Sequence, residues 1–163
     1  MNNKTYLILF IFLLAIGGFY IYNKYQKAPS INFSQLSLST LDGLPFEISS
    51  LKGKKVILSF GASWCGNCIE ELDDLAKIKD KELSDVEVIV ISDEAIETIL
   101  NFKNKRQYPF TFIKLNKAFP EIGINSIPVS FIFNTQLEVK KETVGYVDWK
   151  DNSTLKHLKT LMD

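Results

Sequence analysis

The only two cysteines of the chain, Cys65 and Cys68, stand three positions apart where one hydrophobic period gives way to another. Before them, Val56-Ile57-Leu58-Ser59-Phe60 is a short apolar run with β-branched residues, the pattern of a strand buried on both faces. After them, Ile69, Leu72, Leu75, Ala76 and Ile78 recur at helical spacing. Glu70, Glu71, Asp73 and Asp74 crowd the first turns of that helix and Lys77, Lys79 and Lys81 the last, which suits the helix dipole. The stretch SFGASWCGNC therefore predicts a strand-to-helix junction that carries both sulfurs.

The rest of the chain supplies partners for that junction. Leu36, Leu38 and Leu41, then Asp42-Gly43, then Phe46 and Ile48 predict two short strands around a turn, because Asp-Gly reaches positive φ cheaply. Val86–Ile91 reads as a second buried strand and Glu94–Lys105 as a helix with Ile96, Ile99, Leu100 and Phe102 on one stripe. Phe110–Leu115 is expected as a short edge strand. Val129–Phe133 and Leu137–Val144 form a hairpin pattern, and Asn152 or Ser153 can cap a last helix with Leu155, Leu158 and Leu161 inward. The order is strand, helix, strand, helix, hairpin, helix, which predicts an α/β domain whose mixed central sheet is flanked by helices on both faces.

At 163 residues, 46% of them hydrophobic, the chain has enough apolar material for one domain with a core. Nineteen basic residues balance nineteen acidic ones, so the totals give no electrostatic footprint for nucleic acid, and none is expected as a partner. The apolar content is concentrated at the start. Thr5–Asn23 carries no charge, and about 20 residues suffice to cross a hydrocarbon core. Ala15-Ile16-Gly17 is a passable signal-peptidase exit, yet apolar sequence continues beyond it. Phe19, Tyr20, Tyr22 and Tyr25 cluster where an interfacial aromatic belt would sit. The expected division is a transmembrane anchor or uncleaved signal over 1–25, a linker over 26–34 and the folded domain over 35–163. Positive charge on both flanks leaves the orientation to be argued from the chemistry.

Three readings of the cysteines compete. A zinc site needs about four ligands, and beyond Cys65 and Cys68 the chain offers only His157, far downstream, so no metal is expected. Haem attachment would need a histidine where Ile69 stands. A structural staple across so small a loop removes little unfolded-state entropy, and two buried inert thiols are the remaining bland reading. A redox couple fits the placement best. A cysteine at a helix N-terminus is pulled toward thiolate by the dipole and the free amides. Cys68, one turn on, is within reach to resolve a mixed disulfide formed at Cys65. Far along the chain, Ile127-Pro128 precedes VSFIF, where proline can open a strand but not occupy its middle.

Together these residues resemble the thioredoxin superfamily over nearly all of the chain after the anchor. VILSFGASWCGNC looks like that family's strand and Trp-Cys-x-x-Cys site, and GINSIPVSFIF looks like its cis-proline loop. LSTLDGLPFEISSLKGKKVILSF is similar to the N-terminal β-hairpin extension of the membrane-anchored, extracytoplasmic branch, the disulfide reductases named for TlpA and ResA. GYVD at 145–148 matches the glycine that ends the hairpin there. The resemblance implies a thioredoxin-like fold and a thiol:disulfide oxidoreductase in which Cys65 attacks and Cys68 resolves. Gly66 and Asn67 would be the intervening motif residues and Trp64 a flanking contact. Pro128 would be cis, with the Ile127 backbone pairing with substrate. Glu71 matches a carboxylate that tunes the cysteines in the ResA-like branch; as a bare sequence position it reads equally as a solvated first-turn acid.

The same resemblance implies no cofactor beyond the redox-active disulfide, a disulfide-containing protein as substrate, and a transmembrane thiol carrier as electron donor. It points to cytochrome c maturation or related thiol chemistry, with the domain outside the cytoplasm. Three departures bear on redox poise: Asn67 replaces a common proline, Ser59 replaces thioredoxin's buried aspartate, and Gly61 stands where a bulky residue is common. Two rivals remain at this point, a Cu(I)-binding or copper-delivery module using two soft thiolates, and a non-catalytic binding domain.

Overall fold

The computed structural model describes residues 3–26 and 31–163, and the side chains of the first helix over 6–22. That helix, α1 (Asn3–Gln26), is apolar on every side, and each large apolar side chain from Tyr6 to Tyr22 is at least 50% exposed. Among the described residues no helix is long and apolar enough to cross a membrane. The crossing expected of Thr5–Asn23 is thus not borne out among the described residues.

The domain is built on one seven-stranded sheet in the order β2-β1-β5-β4-β3-β6-β7. Its strands are β1 (Leu38–Thr40), β2 (Pro45–Phe46), β3 (Lys55–Phe60), β4 (Val86–Ser92), β5 (Thr111–Leu115), β6 (Val129–Phe133) and β7 (Val139–Val144). β3, β4 and β5 run parallel, while β1, β6 and β7 pair antiparallel to their neighbours. The β1–β2 hairpin turns at Gly43, whose φ of 81° is the left-handed conformation the Asp-Gly pair predicts. β3 lies between β4 and β6, and Val56, Ile57, Leu58 and Phe60 are wholly buried, as its unbroken apolar run requires.

Two expectations need correcting. β5 is not an edge strand, because β1 pairs with it antiparallel, Leu38 opposite Leu115, and the hairpin extends the sheet beyond it. Nor do α-helices cover both faces. α2 (Gly66–Glu82) and α3 (Ile96–Arg106) connect β3 to β4 and β4 to β5, two steps in the same direction across the sheet. Right-handed crossovers taken in one direction put both helices on one face. α4 (Asn152–Met162) joins them, so Leu72, Leu75, Ile99, Leu155, Leu158 and Met162 share a core with Ile57, Val88, Val90 and Ile132. The opposite face is closed by single 3-10 turns at Phe33–Gln35, Ile48–Leu51 and Phe119–Ile122, over Val56, Leu58, Ile89, Ile113 and Phe131.

Phe33 packs edge-on against Phe131 and Phe133, with ring centroids 5.0 and 5.1 Å away. The folded domain therefore reaches back to Ile31, into the segment expected as linker. The last helix is capped by Asp151, one residue earlier than expected, through its carboxylate and the Thr154 amide at 2.8 Å.

Candidate active site

β3 ends at Phe60, and the chain leaves the sheet through Gly61, whose amide still donates to the Ile91 carbonyl at 3.0 Å. The next residues turn so that the Cys65 amide meets the Ala62 carbonyl at 3.1 Å, and α2 begins at Gly66 with Cys65 as its N-cap. Here the N-cap acceptor is sulfur: the Cys68 amide donates to Cys65 Sγ at 3.2 Å. A helix start that aims backbone N–H groups at one sulfur favours negative charge there once that sulfur is a thiolate.

Cys65 and Cys68 are joined as a disulfide with their Cα atoms 5.2 Å apart. Both are buried, Cys65 at 8% exposure and Cys68 at 2%, so Cys65 is the sulfur nearer solvent. Trp64 beside it is 72% exposed, an uncovered aromatic face next to the reactive bond, and Gly66 and Asn67 are exposed on the other side. The Ile127–Pro128 peptide bond is cis, and the Ile127 carbonyl oxygen lies 3.8 Å from Cys65 Sγ. Sulfur in a disulfide has no proton, so this is a contact that becomes a possible S–H···O bond only on reduction. The structure thus brings Trp64, Cys65, Ile127 and Pro128 to one place.

Behind the disulfide lies Glu71, fully buried at 0% exposure. One helical turn after Cys68, it projects from the same side of α2. Its Oε1 accepts hydrogen bonds from Ser130 Oγ at 2.8 Å and Ser59 Oγ at 3.3 Å, and its Oε2 from the Val147 amide at 3.0 Å. Burial pushes the carboxyl up to about 7 from an ordinary 4.5, against the downward pull of those donors. The Trp149 indole N–H is buried without a hydrogen-bond partner; it faces the same carboxylate and adds to that pull without reaching bonding geometry. The reading of Glu71 as a solvated acid is overturned. Its carboxylate meets Ser59, where thioredoxin-like chains carry their buried aspartate, so the acid absent from the strand is supplied from the helix.

Glu94 and Ser130 shape the site without a sequence signal, and Gly61 does so at a position the sequence already marks. Glu94 holds the β3–α2 loop by accepting from the Ser63 amide at 2.7 Å, Ser63 Oγ at 2.6 Å and Ser92 Oγ at 3.1 Å. Gly61 leaves room for the resolving cysteine, since a Cβ there would stand 3.3 Å from Cys68 Cβ and 3.4 Å from its Sγ. Ser130 reads in sequence as one more strand residue. Only the β3–β6 register, with Ser59 opposite Ser130, brings the two hydroxyls together under Glu71. His157 lies on α4 beside Trp149, Thr154 and Lys141, and among the described residues no three His, Cys, Asp or Glu side chains gather as a metal site.

Comparison with known proteins agrees with this geometry. The family described as Redoxin matches residues 24–159. Sporulation thiol-disulfide oxidoreductase A of Bacillus subtilis is 29% identical over 160 residues, covering 89% of this chain and 92% of its own length. Thiol-disulfide oxidoreductase ResA of Bacillus thuringiensis is 29% identical over 112 residues, covering 66% of this chain and 65% of its own. Among solved structures, a thioredoxin-family thiol:disulfide interchange protein from Chlorobium tepidum superposes with a TM-score of 0.63 at 26% identity, over 84% of this chain and 99% of that one. StoA from Bacillus subtilis gives 0.58 at 24% identity, over 80% and 99%, a likeness of fold. A dithiol at a strand-to-helix junction, a thioredoxin-like sheet and a family match across most of the sequence lead to one conclusion: the chain belongs to the Redoxin family and is a thiol:disulfide oxidoreductase.

Proposed function

We propose that the protein reduces disulfides of other proteins outside the cytoplasm, attached to the membrane by α1. The observation that carries the chemistry is Cys65 as the N-cap of α2, the more accessible sulfur, in contact with the cis-proline loop. In the reduced protein the Cys65 thiolate attacks one sulfur of a substrate disulfide, forming a mixed disulfide and releasing the other substrate sulfur as a thiolate. Cys68 then attacks Cys65 Sγ, the Cys65–Cys68 disulfide closes, and the second substrate thiol leaves. Two electrons pass to the substrate, and the thiolates it releases take up their protons from solvent. Glu71, buried one turn from Cys68, takes the proton as that thiol becomes a nucleophile. Trp64 and the Ile127 and Pro128 backbone receive the substrate chain, and the disulfide is the only redox group required.

Attachment through α1 is supported by its apolar side chains, which face outward all round and join neither core of the domain; a helix of that kind is stable only when something apolar covers it. An extracytoplasmic site is where protein disulfides persist and need a reductant. Electrons would come from a transmembrane thiol carrier, and the similarity to ResA and to the sporulation oxidoreductase supports cytochrome c maturation or related thiol chemistry as the setting. The direction of transfer is tested by the equilibrium reduction potential of the Cys65–Cys68 pair, titrated against glutathione and dithiothreitol. A value well below about −200 mV is expected of a reductase, whereas one near about −120 mV would make the protein an oxidant.

A further inference from the structure

The segment after β7, residues 145–150, lies across α2 and is fastened to it at two levels. It begins at Gly145, in left-handed conformation with φ 91°, whose amide donates to the Pro128 carbonyl at 2.8 Å, so it is also tied to the cis-proline loop. Val147 donates its amide to Glu71, and the buried Trp149 indole faces the same carboxylate without bonding it. Tyr146 and Lys150 serve Asp74, one helical turn further along the same side of α2. Asp74 is 1% exposed; Tyr146 donates its hydroxyl at 2.8 Å, and Lys150 and Lys77 approach at 3.0 and 3.1 Å. Burial works against its charge, but these three donors hold its carboxyl below the ordinary carboxylate value.

A buried carboxylate is costly unless it is paired and hydrogen-bonded; Asp74 is held by three donors, two of them from segment 145–150, and the dithiol chemistry does not use it directly. We propose that Asp74 is a positioning residue for that chemistry: through Tyr146 and Lys150 it fastens segment 145–150 over α2, which keeps the Val147 amide on Glu71 and water away from it. This rests on the reading of Glu71 as the proton partner of Cys68. The groups facing Glu71 are Ser59 from β3, Ser130 from β6, and Val147 and Trp149 from the segment, all uncharged. The charges around the fastening are Asp74 and Lys77 of α2, Lys150 and Asp148 of the segment, and Glu70 at the start of α2. Releasing the segment takes one donor and much of the cover from Glu71. Burial is the larger influence on that carboxyl, so hydration prevails and its titration moves down toward the ordinary range.

The test uses the full reduced chain in detergent micelles, with two readouts against pH: the rate of Cys65 alkylation and the carbon chemical shift of the Glu71 carboxyl. Asp74→Asn is expected to move the Glu71 carboxyl inflection down by about half a unit or more and the alkylation inflection up, because a carboxylate charged earlier disfavours the thiolate beside it, and Tyr146→Phe to move each in the same direction by less. Should Asp74→Asn fail to fold, Tyr146→Phe and Lys150→Met carry the test alone. Titrations that overlay the wild type while the thermal midpoint falls would make Asp74 a purely structural partner and overturn the proposal. Glu71→Gln is the separate control: if its alkylation profile overlays that of the wild type, Glu71 is not coupled to the thiols and that reading fails first, taking this one with it.

Discussion

Glu71 binds its proton more tightly folded than unfolded, and the sign of that difference fixes how stability responds to pH. Unfolded, the carboxyl titrates near 4.5; folded, near 7. Below 4.5 both states keep the proton and folding meets no penalty. As pH rises through the window from 4.5 to 7 the unfolded chain ionises first, and stability falls by about 3 kcal/mol in all. Asp74 acts in another window, since its depressed value withdraws stability only as pH falls below the ordinary 3.8. Glu71→Gln keeps an acceptor for Ser59 and Ser130 but removes the charge, so its urea-unfolding free energy is expected to lose the decline between pH 4.5 and 7. A decline as steep as in the wild type would assign it to other groups. The sequence already placed a carboxylate one turn after Cys68. It could not tell a solvated acid from a buried one, because the burial comes from Ser130 and Val147, 59 and 76 residues away.

At the scale of elements, strand and helix identities were legible because helices repeat their apolar positions at helical spacing while the central strands, buried on both faces, read as short unbroken apolar runs. The junction carrying Cys65 and Cys68 was legible for the same reason, as a change of period at a single point. The position of β5 was not, since β1 covers it through a pairing between residues more than 70 apart. The side taken by α3 depends on the direction in which β4 and β5 are added, which is a property of the sheet. The loop between β3 and α2 shows the same limit, for it is held by Glu94, which in sequence reads as the first residue of a helix, whereas α3 begins at Ile96. Glu94→Ala removes the acceptor for the Ser63 amide, Ser63 Oγ and Ser92 Oγ together, leaving partly buried donors without a partner. The expected cost is about 1–3 kcal/mol in urea unfolding, with slower reduction of a protein disulfide because Cys65 is presented from a looser turn. An unchanged rate at reduced stability would show that the loop supports the fold without positioning the thiol.

For the whole molecule, the proposed attachment through α1 implies a division of labour between that helix and the domain. Both apolar cores are assembled from residues at or beyond Ile31, with three α-helices on one face of the sheet and three short turns on the other. No described side chain of α1 belongs to either core. The domain's stability should therefore be indifferent to α1, while its location should depend on it. A chain beginning at Ile31 is expected to unfold at the same urea midpoint as the full chain and to keep full thiol exchange with a soluble disulfide substrate. In fractionated cells the full chain is expected with the membranes and the shortened chain in the soluble fraction. A lower urea midpoint would mean that α1 packs on the domain, and membrane association without α1 would move the attachment to another surface. If both expectations hold, the apolar helix acts on the dithiol through geometry alone: it restricts the exposed face around Trp64, Cys65 and Pro128 to disulfides that come within one linker's length of the bilayer.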